Sequence, residues 1–96
     1  MSNKKKQPAD IWPINTAMMD ELVLCTVRYY LGRGSIAALS FPQDELPKLL
    51  VMCSASRQET ILDNIREYVQ RVDKGFEREV FKGDANYWRS FLESHK

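Results

Sequence analysis

Between Ser56 and Val72 the order of the side chains leaves little choice of backbone. Ile61, Leu62, Ile65, Tyr68, Val69 and Val72 recur there at three- and four-residue spacing, with Asp63, Arg66, Glu67 and Arg71 on the other side. An apolar stripe with a 3.6-residue period dictates an amphipathic helix that must bury one face against other elements. Ser56-Arg57-Gln58-Glu59 reads as a capping box in which serine and glutamate each satisfy an amide that the first turn leaves orphaned. Glu67 and Arg71 have the favourable i, i+4 order, and Gly75 supplies the stop.

A second helix follows from the same rules. Asn15 is the expected N-cap. Met18, Met19, Leu22, Val23, Cys25, Val27, Tyr29, Tyr30 and Leu31 form a broad apolar face, Asp20-Glu21 is placed in the first turn, and Gly32 ends the run. Ile11-Trp12-Pro13-Ile14 is an apolar lead-in interrupted by proline. Ser35 to Phe41 fits either a short helix or a buried extended segment. Asp44-Glu45 opens a further short helix through Leu46, Leu49, Leu50 and Cys53, with Pro47 in its first turn, where no amide is needed. Phe76 to Gly83 lacks a period and is expected to cross the surface with Phe76, Val80 and Phe81 turned inward. Asp84 is then placed as the cap of a last helix in which Tyr87, Trp88, Phe91 and Leu92 share a face.

Four to five short helices joined by short connections predict an all-α fold, a compact bundle spanning residues 10–96 as one helical domain. Residues 1–9 have no periodicity and are expected to form a flexible, disordered basic N-terminal tail. The 96 residues, 44% hydrophobic and 28% charged, match an ordinary globular domain near the lower end of what folds alone.

Charge narrows the function classes. Fourteen Lys and Arg face thirteen Asp and Glu. Three of the basic residues, Lys4, Lys5 and Lys6, lie in the tail; without them the remainder carries eleven basic residues against thirteen acidic, a net −2. A domain that grips a duplex through its folded face carries a basic surplus instead. The lysine run reads as a solubilising tail, or as an electrostatic anchor for nucleic acid or an acidic protein. No apolar run approaches the ~18 residues of a membrane helix. The basic start is not followed by a signal-type apolar stretch, so a reducing cytoplasm is expected.

Cys25 and Cys53 both sit in apolar company and read as core fillers. With His95 the only histidine and no C-x-x-C motif, neither a zinc site nor any other metal or cofactor is expected. Glu77 and Glu79, flanked by Asp73 and Asp84, are the carboxylates a hydrolase would need, but nothing in their spacing aims them at one point. No catalytic residue is assigned.

The run Arg28-Tyr29-Tyr30-Leu31-Gly32-Arg33 carries the remaining signal. It resembles an Arg-Tyr-x-Leu-Gly-Arg stretch at the end of the first helix in small uncharacterised proteins of bacteriophages and prophages. A helix like Ser56–Val72 and a closing segment with a tryptophan, here Trp88, extend the likeness over most of the chain. Phe41-Pro42-Gln43-Asp44-Glu45 departs from it. The resemblance implies a phage or mobile-element origin and a bacterial cytoplasm, and it transfers no catalytic residue.

Arg28 and Arg33 can either cover the last helix carbonyls or present planar donors to a partner. Tyr29 and Tyr30 lie about 100° apart around the helix, so one can be buried while the other is exposed. Arg28, Tyr29, Tyr30 and Arg33 are therefore the candidate partner-binding residues. The expected function is a non-enzymatic phage protein that binds a bacterial host or defence protein, such as a CRISPR effector, as an inhibitor. The alternative is a small helix-turn-helix regulator reading nucleic acid with Ser56–Val72. A homodimer would bury the surplus of aromatic and methionine side chains.

Overall fold

The computed structural model describes residues 15–34 and 41–95. The tail with Lys4, Lys5 and Lys6, the Ile11–Ile14 lead-in and the ambiguous stretch 35–40 lie outside them. Among the described residues all regular structure is helical: α1 (Thr16–Tyr30), a 3-10 turn (Gln43–Glu45), α2 (Leu46–Leu50), α3 (Ala55–Asp73) and α4 (Asp84–Ser94). The all-α expectation holds.

Helix α1 starts where the cap chemistry dictates. Asn15 is extended, and its side-chain oxygen accepts the Met18 amide at 2.9 Å. Val23, Leu24, Thr26 and Val27 form the buried face. Cys25 does not belong to it. The sulfur is exposed, contrary to its expected role as core filler, because position 25 lies about 200° around the helix from Val23. Cys53, at the turn after α2, is buried as expected.

The end of α1 explains much of the Arg28–Arg33 motif. Gly32 has φ +77°, its amide donates to the Tyr29 carbonyl at 3.0 Å, and the Arg33 amide donates to the Arg28 carbonyl at 2.8 Å. This paired reversal closes a helix through one left-handed residue, which glycine adopts without a Cβ penalty. α3 ends the same way. Gly75 at φ +79° donates to Val72 at 3.1 Å, and Phe76 donates to Arg71 at 2.8 Å.

At the start of α3 the structure corrects the sequence reading. The cap is Ser54, not Ser56, and the helix begins at Ala55. Asp20 on α1 makes the choice: its carboxylate accepts the Ser54 amide at 2.8 Å and the Ser54 hydroxyl at 2.7 Å, while Ser54 Oγ accepts the Arg57 amide. These bonds, with the Arg57 charge nearby, hold the Asp20 carboxyl below the usual carboxylate range. Asp20 thus serves the neighbouring helix, and the first turn of α1 contains no acidic residue.

α3 is the centre of the packing. It contacts α1 on one side and α4 on another, while α2 packs on α1. Ile61, Leu62, Ile65, Tyr68 and Val69 are buried along its stripe, as the period requires. Each is worth roughly 1.5–3 kcal/mol of transfer free energy. They join Val23, Leu24, Val27, Leu31, Leu46, Leu50, Trp88 and Phe91 in one cluster. The Tyr87 hydroxyl donates to the Gln43 carbonyl at 2.8 Å, tying α4 to the 3-10 turn.

Candidate functional site

The loop between α3 and α4 departs furthest from its sequence-based reading. Phe76, Val80 and Phe81 do not turn inward: they are 68%, 39% and 48% exposed. The loop backbone is nonetheless held from beneath by polar groups. Asp84 is buried at the first position of α4, with Gly83 as the cap residue, so it does not cap the helix as expected. Its carboxylate instead accepts the Tyr68 hydroxyl at 2.8 Å and the Val80 and Phe81 amides at 3.1 Å each. The Tyr68 oxygen also accepts the Val80 amide at 3.0 Å. Tyr68 is fully buried, and that burial, with Asp84 beside it, pushes its phenol up to about 12.

A second brace crosses from α1. Arg33 grips Glu77 with both guanidinium nitrogens at 3.0 and 2.9 Å and donates to the Leu31 carbonyl at 3.2 Å. Its charged group stands 5.6 Å from the centre of the Tyr68 ring. Arg71 also binds Glu77, at 3.2 Å, rather than forming the expected pair with Glu67. The Arg71 guanidinium lies 6.0 Å from the Phe76 ring centre. Gly32 completes the fit. A Cβ there would come within 2.8 Å of Val80 Cγ2, so the α1 terminus and the loop meet in van der Waals contact.

The four candidate residues of the α1 terminus therefore divide. Arg33 braces the loop and covers a helix-end carbonyl. Tyr30 is half-buried against the core, and its hydroxyl donates to the Phe41 carbonyl at 3.1 Å. Tyr29 is half-buried and meets the Tyr30 ring edge-on at 5.3 Å. Arg28 is exposed and forms no ion pair among the described residues. The roles that the sequence reading missed are those of Tyr68, Glu77 and Asp84 as supports and of Phe76 and Phe81 as outward groups. One signal existed: a tyrosine on a buried stripe needs a hydrogen-bond partner for its hydroxyl.

The acidic residues are engaged separately. Asp73 pairs with Arg89, Glu77 with Arg33 and Arg71, and Glu79 accepts the Gly83 amide at 2.6 Å. Among the described residues no three His, Cys, Asp or Glu side chains gather into a metal-binding group. His95 places Nδ1 2.8 Å from the Phe91 carbonyl and stacks on the Phe91 ring. Glu59, Asp63 and Glu67 are exposed along α3, where a DNA-reading helix would meet phosphates. No described helix is long and apolar enough to cross a membrane. The chain matches none of the protein families, curated proteins or solved structures with which it was compared.

Proposed function

We propose that this chain is a non-enzymatic binding protein of phage or mobile-element origin that docks on a bacterial host or defence protein and inhibits it. The observation that supports this reading is the α3–α4 loop. Phe76 and Phe81 face solvent on a short segment whose backbone is fixed by Asp84, Tyr68 and the Arg33–Glu77–Arg71 network, with Val80 between them seated against Gly32. Large apolar side chains exposed together mark recognition surfaces, because water gains most when a partner covers them. Fixing the backbone in advance lowers the ordering cost of association. Arg28, exposed on the last turn of α1, adds a planar donor.

The test is affinity capture with the full chain from lysate of an infected bacterial culture, compared with the F76A/F81A double variant. A single stoichiometric protein held by the natural chain and lost by the variant is the expected result. Clean captures that return only the bait, or a partner held equally by both chains, would overturn the reading.

A further inference from the structure

This inference rests on the loop being the binding surface and concerns what kind of polypeptide it takes. Residues 73–84 contain four carboxylates, Asp73, Glu77, Glu79 and Asp84, and three cations, Lys74, Arg78 and Lys82. Their engagement is unequal. Asp73 and Glu77 are neutralised by Arg89, Arg33 and Arg71, Glu79 holds the Gly83 amide, and Asp84 is buried under Tyr68. Lys74, Arg78 and Lys82 are exposed and form no ion pair among the described residues. Each of the four carboxylates has a partner within the protein, a cation for Asp73 and Glu77 and hydrogen-bond donors for Glu79 and Asp84, whereas the three cations extend into solvent. These cations alternate along the loop with Phe76, Val80 and Phe81.

We infer that the surface takes an acidic polypeptide segment bearing aromatic or aliphatic side chains, whose carboxylates meet Lys74, Arg78 and Lys82 while its apolar groups cover Phe76 and Phe81. Such an arrangement combines long-range attraction with a desolvated centre. A nucleic acid suits it less well. A phosphate backbone presents one charge per nucleotide and favours an unbroken basic tract, whereas Glu77 and Glu79 interrupt the sequence of cations along this loop.

The probes are a fluorescein-labelled peptide alternating Glu with Phe and Leu, its counterparts with Ser or Lys in place of Glu, and an oligothymidylate of equal length. Anisotropy is read with the full chain, and circular dichroism checks that each variant is folded. The acidic peptide is expected to bind about tenfold or more tightly than the Ser peptide at low salt, with the gap closing as salt rises. K74E/R78E/K82E transfers the preference to the Lys peptide, and F76A/F81A weakens the acidic peptide by about tenfold. Equal binding of the acidic and Ser peptides overturns the charge assignment while leaving the loop as a binding surface. Tighter binding of the oligothymidylate assigns the surface to nucleic acid and overturns the inference. Undiminished binding by F76A/F81A removes the loop itself as the surface. Sedimentation showing a dimer that F76A/F81A dissolves makes a second copy the occupant and also overturns the inference.

Discussion

Replacing Asp84 with alanine removes the acceptor on which the α3–α4 loop is hung, and the cost follows from what is left behind. The fully buried Tyr68 hydroxyl loses its acceptor, an orphaned donor worth about 1–3 kcal/mol. The Val80 and Phe81 amides lie beside half-exposed side chains, so water replaces the carboxylate there at a further ~0.5 kcal/mol each. D84A should therefore lose about 3 kcal/mol. Y68F removes one charge-assisted bond while Asp84 keeps two amides, a loss of about 2 kcal/mol. The double variant has no stranded hydroxyl, so its loss should fall short of the sum by about 1–2 kcal/mol. Urea unfolding followed by far-ultraviolet circular dichroism reads these differences; 3 kcal/mol moves the midpoint by roughly 1.5 M at a slope of about 2 kcal/mol per M.

The same pair gives a pH readout. A phenol raised to about 12 when folded favours the protonated native state, so its contribution is complete below the unfolded value of 10.0 and is lost as pH rises through 12. That shift amounts to about 3 kcal/mol, which Y68F should delete from the alkaline limb. Additive losses, or a D84A loss below about 1 kcal/mol, would refute the supporting role of the pair.

Four further outcomes are expected. S54A loses about 1–2 kcal/mol, roughly 5–10 °C in Tm, whereas S56A stays within about 0.5 kcal/mol by thermal unfolding. D20N flattens the acid limb of the stability curve: the lowered carboxyl stabilises the fold above the ordinary carboxylate range and loses that contribution as pH falls through its depressed value. G75A costs about 1 kcal/mol for its left-handed backbone, and G32A costs about 1 kcal/mol more in chemical denaturation because its Cβ also meets Val80. An aromatic disulfide reagent at neutral pH titrates Cys25 at once and Cys53 only after unfolding, since burial raises the Cys53 thiol to about 11.

Helices could be read from the chain wherever their signals were local. Asn15, the apolar period of α1 and Gly32 place the first helix within a residue, and the Ile61–Val69 stripe places α3 and its buried face. What escaped was decided by other elements. Ser54 outcompetes Ser56 because Asp20, more than thirty residues earlier, holds it. The inward reading of Phe76, Val80 and Phe81 failed because loop position is set by Asp84, Tyr68 and Glu77, polar groups whose convergence no spacing encodes. Cys25 is the exception, since the helical period alone turns it away from Val23 and Val27.

The bracing of the α3–α4 connection separates two jobs among its side chains. Tyr68, Arg33, Glu77 and Asp84 anchor the segment, while Phe76, Arg78, Phe81 and Lys82 face water. Substitutions in the second group should leave folding nearly untouched. The tip of this segment can thus be exchanged like a replaceable key blade, while the bow that holds it stays as it is.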